Sequence, residues 1–201
     1  GDAFVRECES AFGALPAEAP NVIEAPAYVG GVRTRSQAGS SQSHAVLGGV
    51  LTPRREADVH GEAAAALAAA VIGEGMSSPL LHELREQRAL AYHVSASAEA
   101  MDMCGQFIIE ASMAPERFDE CLQAVLALLT QHADRIDPQD LARARRQLAV
   151  RRLRTLEKPL RQIEDAALDL FAHGHMRSHD ERLSALDAVD TARAAVAHAV
   201  T

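Results

Sequence analysis

From Tyr92 to Glu99 the chain alternates, with Tyr92, Val94, Ala96 and Ala98 on one side and His93, Ser95, Ser97 and Glu99 on the other. "GQFIIEASM", residues 105–113, repeats the pattern with Phe107, Ile109, Ala111 and Met113 on the apolar side. Two such runs joined around Asp102 predict an antiparallel pair of strands, each with one buried face. Two earlier runs, Tyr28–Arg35 and Ser43–Leu51, are also predicted strands, parted by the turn formers of "SQAGSS".

The rest of the pattern is helical. Residues 4–12 predict a short helix ended by Gly13 and Pro16, and "PAEAPNVIEAP" reads as an extended linker. From Glu56 to Ile72 the Ala/Leu-rich text has no breaker except Gly61. "GEGMSS" interrupts it, and Ser77 or Ser78 caps a new helix that carries Pro79 in its first turn and runs to about Arg88. Pro115 opens a long helix with the apolar stripe Phe118, Leu122, Val125 and Leu129. Asp137-Pro138 opens another, and the remainder is helical with a break near "HGHMRSHD". The order β-β-α-α-β-β-α-α-α predicts a two-layer α+β fold: a mainly antiparallel sheet with helices packed on one face.

Composition narrows the function. The 201 residues suffice for one domain with a proper core, and aromatics at 3% with no Trp mean that Ala, Leu, Val and Ile must build it. A net charge of -8 argues against a nucleic-acid surface for the chain as a whole. No apolar run reaches the length of a membrane span. Cys8, Cys104 and Cys121 show no C-x-x-C spacing and read as free, buried small residues.

Candidate chemistry begins with a near miss. His82-Glu83 starts like the helical zinc motif H-E-x-x-H, but Glu86 stands where the second histidine belongs. None of the nine histidines has the inverted H-x-x-E-H spacing either. His173, His175 and His179 lie close enough for three imidazoles to share a divalent ion, but nothing supplies an obvious carboxylate base or second shell, and a solvated loop is the reading favoured. Six arginines between Arg143 and Arg154 form either a surface for an anionic partner or a solvated helix face paired with carboxylates of adjacent helices. The acidic whole favours the second. "GEGMSS" lacks the lysine of a phosphate loop.

"GEGMSSPLLHELREQRALAY", residues 73–92, resembles the signature of the C-terminal half of the M16 (insulinase/pitrilysin-like) zinc metallopeptidases, commonly G-G-x-S-S-R-L-x-x-x-x-R-E-x-x-G-L-A-Y. "ESAFGALP" is similar to the end of the preceding half and "QSHAVLGG" to an early strand of the second. "IDPQDLARARRQLAVRRLRTLEKP" is similar to its long late helix, and "LSALDAVDTARAAVAHAV" to its closing pair of helices. Two departures stand out. Pro79 replaces the usual Arg, and Ala89 replaces a Gly in a turn that favours positive φ.

The resemblance implies that residues 1–20 end a preceding domain and linker, and that 21–201 form an M16 C-terminal-type domain. It implies no catalytic residue and no metal ligand in this chain, which alone would be inactive. Zinc is expected in the missing partner half, a zinc-bearing M16 domain or subunit. Arg85 and Tyr92, seven residues apart, match the pair that reaches across to the peptide substrate beside that zinc. By spacing alone, Arg85 reads as a surface ion-pair partner of Glu83 or Glu86, and Tyr92 as a core-facing strand residue. The resemblance also allows a homodimer of this chain, or a non-catalytic structural or binding subunit of a processing-peptidase-like complex.

Overall fold

The structure is a computed structural model that describes residues 1–16 and 24–190. The boundary between residues 20 and 21, most of the linker and the last of the expected closing helices lie outside the described residues.

Strand alternation translates directly into a three-stranded antiparallel sheet of order β1-β3-β2, with β1 at Ser43–Leu51, β2 at His93–Ala100 and β3 at Gly105–Met113. Register places Leu47 and Ala96 on either side of Ile109, and Ala45 and Val94 on either side of Ala111. Phe107, Ile109, Ala111 and Met113 are all buried, as their spacing predicts. Helices cover this face, while Val46 and Val50 on the other face stay exposed. The fold is therefore two-layer α+β, and no helix among the described residues is long and apolar enough to cross a membrane.

The expected first strand, Tyr28–Arg35, does not form; these residues have no regular structure and are exposed. Val32 is 91% exposed, with no apolar surface to cover it, and Gly31 at φ 136 breaks the extended run. Without a ladder partner or a buried face, a run bounded by turn formers does not make a strand.

Helix α1, Asp2–Phe12, buries no residue. Helix α2, Val59–Gly73, starts where the Asp58 carboxylate accepts from Gly61 N at 2.7 Å. Its alanines let it lie close against β2. A Cβ on Gly73 would stand 2.4 Å from Ala96 N and 2.5 Å from Ala96 Cβ. Helix α3, Phe118–Asp134, follows a 3-10 turn at Pro115–Arg117. Its buried stripe is Cys121, Ala124, Val125, Leu128, Leu129 and His132, so the expected Phe118 and Leu122 are only half-buried at its margin. Of the cysteines only Cys121 is buried; Cys8 and Cys104 are partly exposed.

Helix α4, Pro138–Leu156, is capped by Asp137, whose carboxylate accepts from Gln139 N at 2.7 Å. Helices α5, Pro159–His173, and α6, His179–Ala188, flank the histidine-rich break. Gly174 at φ 72 ends α5, its N–H donating to Leu170 O at 3.0 Å. Ser178 and Glu181 start α6 with a reciprocal capping box.

A buried ion network joins these helices. Asp169 on α5 is 1% exposed and accepts from Arg177 Nη2 at 2.7 Å, Arg177 backbone N at 2.9 Å and Arg182 Nη2 on α6. Arg177 also reaches Glu62 on α2 at 3.1 Å. Burial pushes the Asp169 carboxyl up, but the hydrogen bonds from Arg177 and Arg182 outweigh it and hold it down at about 2.

Two predictions follow from this packing. Gly73→Ala should lower the urea midpoint, because overpacking costs about 1–3 kcal/mol against a gain of at most about 1 kcal/mol in helix propensity. An unchanged midpoint would mean that α2 can lift from β2. The depressed Asp169 carboxyl stabilises the fold fully above its unfolded value, and the contribution is lost as pH falls through the folded value near 2. Urea titrations between about pH 5 and 1 should show a loss of about 2.5 kcal/mol in the native chain. This loss should be absent in Asp169→Asn; an equal slope in both would remove Asp169 as its source.

Candidate functional site

Gly75, at φ 84, turns the chain out of α2 and brings the signature segment back over the sheet. Ser78 N donates to Gly75 O at 3.0 Å, and His82 N to Ser78 O at 2.9 Å. Ser78 thus stands at the helix start, but its hydroxyl is buried without a hydrogen-bond partner and caps nothing. Leu81–Gln87 then widens into a π-helix. Its last turn closes with Arg88 N donating to Glu83 O at 3.0 Å, and Leu90 N to Leu84 O at 2.7 Å. Such wide turns are rare and concentrate at functional sites. Nothing in the local sequence distinguishes this π-helix from the ordinary helix expected.

Ala89 adopts φ 46, the positive φ expected of the glycine it replaces. The chain then turns into β2, and Tyr92 N donates to Ser112 O at 2.8 Å. Leu84 and Leu90, 0% and 2% exposed, anchor the segment from within. Arg85 and Tyr92 point outward. The Arg85 side chain is about half exposed, with Nε 3.7 Å from Glu86 Oε1, beyond hydrogen-bond range. Tyr92 is 58% exposed and not core-facing as alternation predicts. It precedes the first strand residue, and Leu84, Leu90 and Ala91 already fill the core at this end. No hydrogen bond joins Arg85 to Tyr92 among the described residues.

A clasp that the spacing did not reveal secures the segment. Arg88 Nη2 donates to Glu120 Oε1 at 2.9 Å, Arg117 Nη1 lies 3.3 Å from Glu120 Oε2, and Arg117 Nη2 donates to Arg88 O at 3.4 Å. These bonds tie the end of the π-helix to the start of α3. Arg88 lies 32 residues from Glu120 and 29 from Arg117, so only the fold brings it to this local pair.

Among the described residues no three His, Cys, Asp or Glu side chains could hold a metal ion. His82 is exposed, and Gln87 Nε2 donates to its Nε2 at 2.8 Å. The rings of His173 and His175 lie 6.1 Å apart, and His173 Nε2 is 3.9 Å from Glu62 Oε1. Arg177 already occupies Glu62, so a cation there would meet a guanidinium. The described residues thus do not fit the zinc that the H-E-x-x-H and H-x-x-E-H motifs hold.

The arginine-rich α4 is only partly the ion-paired face expected. Arg151 pairs with Glu74, and Arg152 with Asp165 at 3.3 Å. Arg143 pairs with Asp140 at 3.4 Å and also donates to Val71 O and Glu74 O, each at 2.9 Å, and so satisfies carbonyls at the end of α2. Arg145 does the same for α6 through Leu186 O at 3.2 Å and Val189 O.

The π-helix, the positive-φ turn and the sheet edge define a domain whose relatives are identifiable. Residues 3–148 match the family model "Peptidase M16 inactive domain". The chain belongs to this family of zinc-protease-like proteins and is an inactive-type, C-terminal M16 domain. It is 29% identical over 108 residues to an uncharacterized zinc protease of Rickettsia felis, covering 54% of this chain and 26% of that protein. It is 26% identical over 117 residues to the mitochondrial-processing peptidase subunit alpha of Caenorhabditis elegans, covering 58% and 23%. The chain thus matches about a quarter of the length of these curated relatives. In fold it is similar to the peptidase M16 inactive domain from Pseudomonas fluorescens, with a TM-score of 0.65 at 22% identity, covering 78% of this chain and 37% of that one.

The strained turn gives a test. Ala89→Gly removes a left-handed conformation that costs an L-residue roughly 1–2 kcal/mol, partly offset by a more flexible unfolded chain. Thermal unfolding should show a net gain of about 0.5–1 kcal/mol. A loss would mean that the turn relaxes to negative φ in solution.

Proposed function

We propose that this chain is the zinc-free half of an M16-type metallopeptidase and helps to bind extended peptide at a chamber completed by a zinc-bearing M16 domain or subunit. The observation that carries this reading is the outward placement of Arg85 and Tyr92 on a segment whose neighbours Leu84 and Leu90 are buried. Neither side chain is spent on the core. Arg85 offers a planar fork of donors and Tyr92 a phenolic hydroxyl, and both can hold a substrate carbonyl or an oxyanion forming on it. The partner half would supply the zinc that activates water, together with its ligands. On this reading residues 1–20 end the preceding domain and lead into this one.

A second reading has its own support. Similarity to a processing-peptidase subunit alpha fits a non-catalytic structural or binding role in such a complex. Exposed Leu160, Ile163 and Phe171 on α5 fit any reading in which this domain buries apolar surface against another subunit, a second copy included.

The two readings separate in the enzyme assembled with its zinc-bearing half. Tyr92→Phe and Arg85→Lys should each lower kcat/KM about a hundredfold on two unrelated peptides, as loss of a charge-stabilising donor does. Lysine keeps the charge but not the fork, so it should not rescue Arg85 fully. Melting temperatures should stay unchanged because both side chains are exposed. Near-normal turnover in both variants would favour the non-catalytic role. Lost turnover with a large drop in melting temperature would make the pair structural.

A further inference from the structure

At the end of the sheet opposite Tyr92, a cleft of about 1120 Å³ opens between the ends of β1 and β2, the first half of α2 and the α4–α5 turn. Its floor is apolar, with Leu51, Ala63, Ala66, Ala98 and Leu148. Its walls are cationic. Arg152 and Arg161 on these walls are matched by Asp165 at 3.3 Å and Glu164 at 2.8 Å. Arg54 donates to Ala100 O at 3.1 and 2.9 Å, which leaves its charge uncompensated. Arg154 and Lys158 line the cleft with no carboxylate partner among the described residues. Of the acidic lining residues, Glu62 and Asp165 are already engaged by Arg177 and Arg152, which leaves Glu56. Three uncompensated cations thus face one free carboxylate, in a chain whose net charge is -8. Burial and the neighbouring charge of Arg182 push the Arg152 guanidinium down, as crowding of cations at the wall would.

We propose that this cleft binds an acidic peptide segment in which carboxylate and aliphatic side chains alternate. An inorganic anion would use the walls and leave the alanine and leucine floor wet. A fatty-acid chain would cover the floor but bring one carboxylate to cations spread from Arg54 to Lys158. An extended peptide presents opposite faces at alternate residues, so one face meets the floor and the other the cations. The volume is of the size that buries a bound ligand. This site is separate from Arg85 and Tyr92, which do not line it, and its occupation requires no zinc-bearing half.

The test is calorimetric titration of the chain with an acetylated, amidated octapeptide of alternating Glu and Leu, beside a Lys/Leu counterpart and laurate. The Glu/Leu peptide should bind, more weakly as salt rises, and the Lys/Leu peptide should not. Arg154→Glu/Lys158→Glu, two exposed positions on the rim, should weaken binding at least tenfold without moving the melting temperature. Arg6→Glu/Arg135→Glu makes the same change in net charge away from the cleft and should bind as the native chain does. Arg85→Lys should also bind normally, which keeps this result apart from the peptidase reading. Absence of Glu/Leu binding, equal binding of both peptides, or equal weakening by the two double reversals would overturn the proposal. Laurate binding tighter than the peptide would overturn it in favour of an amphiphile site.

Discussion

The distance between α2 and β2 is the constraint on which the other elements depend. Gly73 sits where any Cβ would strike the backbone of Ala96, and the rest of the helix is built mainly of alanine. Small side chains shorten the gap between layers, so a chain with few aromatics can still close a dry core. The close approach also fixes where α2 must end. From that end the chain turns at Gly75, and Arg143 of α4 donates to the carbonyls of Val71 and Glu74 there. One contact thus sets the height of the helix layer, the start of the signature segment and the seat of α4.

The helical layer carries much of its polar chemistry inside. Asp169 and Arg177 are 1% and 7% exposed at the side chain, and Glu62 and Arg182 complete a network that links α2, α5 and α6. A buried charge left without its partner costs several kcal/mol, so the helices can dock only in the arrangement that pairs all of them. Packing among alanines constrains rotation and register weakly. The ion network supplies directionality that the apolar contacts lack.

Strain gathers in the stretch that holds Arg85 and Tyr92. A π-helix, a positive-φ alanine and a buried serine hydroxyl without a partner fall within twelve residues of one another. Each is unfavourable locally, and the surrounding contacts hold them: Leu84 and Leu90 in the core, and the Arg88–Glu120–Arg117 clasp at the surface. Conformations of this kind persist where the neighbouring structure over-determines them. The described residues carry no helical zinc motif, while this stretch presents two outward-facing donors, Arg85 and Tyr92.

Alternation and breakers determined β1, β2, β3 and the long helices, because each of those elements has one buried face and the pattern of side chains records it. The motif from Gly73 to Tyr92 determined the family, and its glycine-to-alanine departure at Ala89 marked the positive-φ turn. Tertiary structure decided the rest. Tyr28–Arg35 reads as a strand too, but among the described residues no strand pairs with it and it buries nothing. Tyr92 continues the alternation of β2, yet the core at that end is already full. The arginines of α4 look alike in sequence, while the fold sends some to carbonyls at the ends of α2 and α6 and others to carboxylates or into the cleft. Periodicity records which face of an element is buried; which distant group each side chain meets is fixed only when the layers close.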